Sequence, residues 1–296
     1  MSALDELQDA ARTVATRLGT TIVSIGRDGR GSGVVIADGQ VLTCAHNLRD
    51  RTTQVTFADG RTTQGEVLAA DTDGDLAVLA VDTAGATPAE WAPAPAGDGQ
   101  VVFGAARGQG LRVTFGLVSG TDRTFRGPRG RRVTGSVEHT APLARGSTGG
   151  ALADAQGRVV GINTLRLGDR FALAQPVDHA FQDRVARLAA GEAPTRRRLG
   201  VALAPPHVTR RLRASVGLAE RAGLLVRGVE DGSPAAEAGI EAGDLLVTAG
   251  DRSLVSADDL FEVLQALGDG ASLTLGVVRG AEERTVEVRF GAAEIA

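Results

Sequence analysis

Gly146-Ser147-Thr148-Gly149-Gly150-Ala151-Leu152 is the stretch on which the reading of this chain turns. Three glycines bracket two hydroxyl residues. Glycine lacks Cβ, so the backbone here can bend sharply and aim successive N–H groups at one point. N–H groups so aimed stabilise a developing oxyanion, and a hydroxyl beside them can act on a carbonyl carbon. A glycine-rich loop alone is an ordinary turn, so its meaning rests on what precedes it.

Upstream lies Asp71-Thr72-Asp73-Gly74-Asp75-Leu76-Ala77-Val78-Leu79. Asp71 and Asp73 read as turn carboxylates, whereas Asp75 sits at the lip of an apolar strand, where it can be held partly buried against an imidazole. Further upstream, Val41-Leu42-Thr43-Cys44-Ala45-His46 is an apolar strand ending on a histidine able to serve as general base. Each segment alone is weak evidence, because lone histidines and turn carboxylates are common. The order His46, Asp75, then a hydroxyl in a glycine loop is that of the chymotrypsin Ser-His-Asp triad, here with threonine as the hydroxyl.

The rest of the composition fits a β-rich chain of more than one core. At 296 residues and 43% hydrophobic, the chain is long enough for two domains. With 40 glycines, 3% aromatics and no tyrosine, turns are plentiful and the cores must rest on Val, Leu, Ala and Ile. The net charge of -4 gives no electrostatic reason to expect nucleic acid as a partner. The Arg126–Arg132 and Arg196–Arg198 clusters read as solvated loops. Cys44 is the sole cysteine, so no intrachain disulfide forms, and four scattered histidines offer no metal-ligand spacing. No run is long and apolar enough to span a bilayer, and Asp5, Glu6 and Asp9 stand where an export leader would be basic. As written, the protein is expected in the cytoplasm, or exported if a leader is missing.

Leu4, Leu7, Ala11, Val14 and Leu18 recur at helical spacing behind Ser2 and Asp5, which predicts an N-terminal amphipathic helix within residues 1–19. Short β-branched runs follow over 21–25, 33–36, 54–57, 76–81, 101–103, 114–119 and 158–163, the pattern of an all-β barrel or sandwich. A helix capped by Asp178 closes this region near Gly191, and 191–198 reads as a linker. Beyond it, strands over 199–203, 224–229, 245–249, 272–278 and 285–290 alternate with two helices, opened by Ser233-Pro234 and by Ser256 with Asp259.

Together these segments resemble the HtrA-type proteases. Thr43-Cys44-Ala45-His46 is similar to their T-x-A-H motif, Asp75–Leu79 to D-L-A-V-L, and Gly146–Leu152 to G-N-S-G-G-P-L. Gly157–Thr164 and Phe171–Pro176 resemble G-x-V-I-G-I-N-T and F-A-I-P. The resemblance implies a mainly β fold: a chymotrypsin-like double β-barrel over 1–190, then a PDZ-like α+β domain over 199–296. It also implies His46 as base and acid, Asp75 as its orienter, and an oxyanion hole from the N–H groups of Gly146 and Thr148. Pro142, Leu143 and Ile162, Asn163 and Thr164 would wall a specificity pocket with no acid to receive Arg or Lys, favouring a small or medium apolar residue at the cleavage position. Arg198-Leu199-Gly200-Val201 resembles the carboxylate-binding Y-[LI]-G-V motif of the PDZ domain, with arginine at the aromatic position. The implied partners are unfolded polypeptides or protein C-termini, with no metal or organic cofactor. A homo-oligomer is implied too, although the N-terminal segment holds no aromatic residue to pack one.

The departure from the family is Thr148, where its members carry serine, with Ser147 in place of the neighbouring Asn. β-Branching restricts χ1, and the extra methyl presses on substrate, imidazole or loop. Slow turnover or none is expected. Two functions therefore stand side by side: an impaired endopeptidase, and a catalytically inactive protease fold acting as a peptide-binding or chaperone-like module.

Overall fold

The computed structural model describes residues 2–126, 132–168, 170–194, 197–205, 207–209, 211, 221–267 and 270–290. The two arginine-rich loops expected above lie partly outside the described residues. Two compact units result, Met1–Ala193 and Pro194–Ala296.

The first unit opens with α1 (Ala3–Leu18), whose Ser2 and Asp5 form a reciprocal capping box. Twelve strands follow: β1 (Ile22–Ile25), β2 (Gly31–Ala37), β3 (Gln40–Thr43), β4 (Thr52–Thr56), β5 (Thr62–Asp71), β6 (Leu76–Ala80), β7 (Val101–Arg107), β8 (Leu111–Arg126), β9 (Arg132–His139), β10 (Ala151–Ala153), β11 (Val159–Leu167) and β12 (Phe171–Pro176). They close into two antiparallel barrels, ordered β1-β2-β3-β6-β5-β4 and β10-β11-β12-β9-β8-β7. The helix α2 (His179–Ala189) ends the unit, its Asp178 side chain accepting from the Phe181 N–H as expected of a cap.

Successive residues of a strand face opposite ways, and here both faces are buried. Val35 and Val41 point into the first barrel with Val23, Val55 and Leu79. Their neighbours Val34 and Leu42 point outward, joining Phe103, Ala151 and Ile162 of the second barrel and Val14, Leu18, Phe181 and Leu188 of the two helices. Each of these side chains other than Ala151 contributes roughly 1.5–3 kcal/mol on burial. This shared core fixes one barrel against the other, and the ends of β3, β6 and β10 meet at that junction.

The second unit is an antiparallel sheet ordered β13-β14-β15-β17-β18, from β13 (Val201–Leu203), β14 (Leu224–Val229), β15 (Leu245–Ala249), β17 (Ser272–Arg279) and β18 (Glu282–Arg289), with the short β16 (Arg252–Ser253) paired to β15. It carries α3 (Pro234–Glu237) and α4 (Ala257–Ala266), and its own core of Leu199, Val226, Leu246, Leu260, Leu275 and Val288. Arg279 donates to both carboxylate oxygens of the buried Asp244 at 2.7 and 2.8 Å. Burial would raise the Asp244 carboxyl, but the Arg279 guanidinium and the Glu241 N–H outweigh it and hold the group below its ordinary range.

Candidate active site

Three loops at the barrel junction carry the chemistry. β3 hands its chain to a single 3-10 turn, Ala45–Asn47, which presents His46 with 27% of its side chain exposed. Asp75 precedes β6 and is buried. His46 Nδ1 lies 2.9 and 2.8 Å from the two Asp75 oxygens, and the His46 backbone N–H donates to Oδ1 at 3.0 Å. Thr164 Oγ1 donates to Asp75 Oδ2 at 2.8 Å. On the opposite side of the imidazole, Nε2 stands 3.2 Å from Thr148 Oγ1. A carboxylate facing Nδ1 fixes the proton there, which leaves the Nε2 lone pair directed at the hydroxyl.

The loop bearing Thr148 is pinned from both sides. The Thr148 carbonyl accepts from the Ser32 N–H at 2.8 Å, the Gly149 N–H donates to the Asn163 carbonyl at 2.7 Å, and the Asn163 N–H returns to Gly150 at 2.9 Å. Gly149 has φ of +85°, and a Cβ there would overlap the Ser32 carbonyl oxygen, so only glycine fits. Among the described residues, neither the Gly146 nor the Thr148 N–H has an acceptor.

The five residues expected to wall the pocket divide. Pro142 is exposed and Leu143 half-buried, whereas Ile162, Asn163 and Thr164 are buried. Asn163 turns its side chain inward, donating to the Ala151 carbonyl at 2.8 Å and accepting from His139 Nε2 at 3.0 Å. Asn163 is thus spent inside the barrel, its side chain on Ala151 and His139 and its backbone on Gly149 and Gly150. Cys44, His46 and Asp75 bring ligand atoms within 4.8 Å of one another. Burial first, then the Asp75 charge, pushes the Cys44 thiol well up, and its sulfur lies 3.5 Å from the Asn163 carbonyl oxygen.

Residues 31–162 match the Trypsin-like peptidase domain family and residues 198–290 the PDZ domain family. A putative serine protease, HhoB, of Synechocystis is 31% identical over 289 residues, 89% of this chain and 66% of that protein. A probable periplasmic serine endoprotease, DegP-like, of Pseudomonas fluorescens is 31% identical over 274 residues, 88% of this chain and 56% of that one. Among solved structures, the HtrA-type protease AlgW with a decapeptide superposes with a TM-score of 0.70 at 22% identity, covering 96% of this chain and 99% of that one. The same protease with a tripeptide gives 0.63 at 25%, covering 96% and 97%. The chain belongs to the HtrA-type serine protease family. It spans about half to two thirds of the length of the curated relatives it matches.

In this HtrA chain the second candidate site is the segment before β13. Gly200 has φ of +78°, the Leu199 carbonyl accepts from Ala235 N–H at 2.9 Å, and the Gly200 carbonyl accepts from Glu230 N–H at 2.8 Å. The N–H groups of Leu199 and Gly200 have no acceptor among the described residues. Arg198 is exposed and reaches Glu230 at 3.4 Å. Among the described residues β13 pairs with β14 alone and so ends the sheet, an edge to which a strand can add. Among the described residues, no helix is long and apolar enough to cross a membrane.

Two contacts of the candidate site escaped the sequence reading. Asn47 touches Thr148, and Thr164, expected only as a pocket wall, donates to Asp75. For Asn47 the available signal was a carboxamide directly after the histidine, in a turn packed against the glycine loop.

Proposed function

We propose that this chain is an endopeptidase acting on unfolded or damaged polypeptides through His46, Asp75 and Thr148, with its PDZ unit receiving a peptide C-terminus. The observation that carries the reading is the continuous line of contacts from Asp75 through the imidazole to Thr148 Oγ1, closing at 3.2 Å. Thr148 Oγ1 attacks the scissile carbonyl while His46 Nε2 takes its proton, and Asp75 steadies the imidazolium. The Gly146 and Thr148 N–H groups receive the oxyanion. His46 then protonates the leaving amine, and water, deprotonated by the same nitrogen, releases the acyl group.

At the second site, a free carboxylate docks on the Leu199 and Gly200 N–H groups as its chain adds to the β13 edge. A small or medium apolar side chain is favoured at the cleavage position, since Pro142 and Leu143 bring no charge to the pocket. Relatives named periplasmic favour substrates outside the cytoplasm. The threonine methyl makes turnover slow. A second reading, a peptide-binding module without turnover, draws on Thr148 Oγ1 also donating to Asn47 Oδ1, at 3.1 Å.

Cleavage of casein by wild type, Thr148→Ser, Thr148→Ala and His46→Ala separates the two. Measurable wild-type turnover, lost in His46→Ala and Thr148→Ala and raised about tenfold or more in Thr148→Ser, is expected. Wild type matching Thr148→Ala while Thr148→Ser cleaves would establish the second reading. Full activity in His46→Ala would overturn the assignment of the base.

A further inference from the structure

Asn47 is only 1% exposed, one residue beyond His46. Chemistry fixes the orientation of its carboxamide. One end lies 2.9 Å from the Thr148 carbonyl oxygen, which can only accept, so that end is the NH2. The same NH2 donates at 3.1 Å to Thr43 Oγ1, whose own proton goes to the Ser32 carbonyl at 2.7 Å. The other end is therefore Oδ1, and it accepts from Thr148 Oγ1 at 3.1 Å. The fold leaves room for this arrangement, because a Cβ on Gly31 would overlap the carboxamide.

We infer that Asn47 is a positioning residue for Thr148, gripping its carbonyl and its hydroxyl at once and so selecting the one side-chain rotation from which Oγ1 reaches His46. The inference rests on the catalytic reading above. Serine turns its hydroxyl into the productive well at little cost, because only hydrogens share its Cβ. In threonine a methyl must find room wherever the hydroxyl points, so the side chain alone does not single out the productive well. A buried hydrogen bond contributes about 1 kcal/mol net, enough to favour one well several-fold. Asn47 thus offsets what the β-methyl takes away. The grip need not block the reaction: the single hydroxyl proton has two acceptors, Asn47 Oδ1 and His46 Nε2, and passes between them by rotation about Cβ–Oγ1 with no heavy atom moving.

The test uses the full chain with Asn47→Val, and Asn47→Ala should the valine not fit. Neither strips a buried group of its last partner, since the Thr148 carbonyl keeps the Ser32 N–H and the Thr43 hydroxyl keeps the Ser32 carbonyl. Three-bond couplings from the Thr148 methyl carbon to its own backbone nitrogen and carbonyl carbon report χ1 without any need for turnover. One rotamer is expected in wild type and averaged values in the variants. On casein, Asn47→Val is expected to lower kcat about tenfold with KM within about twofold, and to cost less than about threefold in a Thr148→Ser background. Unaveraged couplings in the variants, or equal losses in the two backgrounds, would overturn the inference. Averaged couplings in a set where Thr148→Ser also fails to cleave would uphold the positioning and sink the catalytic reading instead.

Discussion

Asp75 holds its backbone at φ 55°, a left-handed conformation that costs most side chains about 1–2 kcal/mol and that Asp tolerates better than most. The conformation turns the carboxylate toward three donors: the His46 N–H, the His46 ring and Thr164 Oγ1. Removing one donor from a buried carboxylate costs about 1–3 kcal/mol and frees it to rotate. Thr164→Val, close in shape, is accordingly expected to lower kcat about tenfold on casein with little change in KM; an unchanged kcat would show that the imidazole alone orients Asp75. His46, Asp75 and Thr148 were legible because each is announced by its neighbours, an apolar run before the histidine, one after the aspartate, glycines around the threonine. The Thr164–Asp75 and Asn47–Thr148 contacts were not, because they join residues 89 and 101 positions apart and no local pattern records such a pairing.

At the scale of elements, β9 and β11 place His139 and Asn163 side by side in the second barrel, both fully buried. Asn163 Oδ1 can only accept, since its NH2 serves Ala151, so His139 Nε2 carries the proton and Nδ1 is left as a bare acceptor with no partner among the described residues. Burial lowers His139 to about 4, against the weaker upward pull of Asn163. The sign of the linkage follows. The unfolded chain takes up a proton near pH 6.5 while the folded chain waits until about 4, so stability falls as pH drops through that interval, by roughly 3 kcal/mol in all. His139→Gln keeps a donor for Asn163 and removes the titration. Urea unfolding of wild type between pH 6.5 and 5 is expected to weaken with acid more steeply than that of the variant; parallel curves would mean that His139 titrates normally. β9 itself was not foreseen from the sequence, and neither was β5. The run Thr62-Thr63-Gln64-Gly65-Glu66 has no apolar side chain and alternates exposed positions with the half-buried Thr63 and the buried Gly65, so barrel closure rather than apolar patterning makes it a strand.

Across the whole molecule, the scarcity of aromatics turns into a probe. The chain has one tryptophan and no tyrosine, and Trp91 packs edge-on against Phe181 at 6.1 Å between ring centroids, in the first unit. Its fluorescence therefore reports the double barrel, whereas far-ultraviolet circular dichroism reports both units. The second unit has a core of its own, in which Leu246 is fully buried among Leu224, Val226, Leu275 and Val277. Leu246→Ala deletes that packing at a cost of about 2–5 kcal/mol, and separate cores are expected to unfold separately. In urea the variant is expected to show an early dichroism transition absent from wild type, while the Trp91 transition keeps its midpoint and casein cleavage at low urea persists. A Trp91 midpoint that falls together with the dichroism would mean that the PDZ sheet and the barrels unfold as one cooperative body.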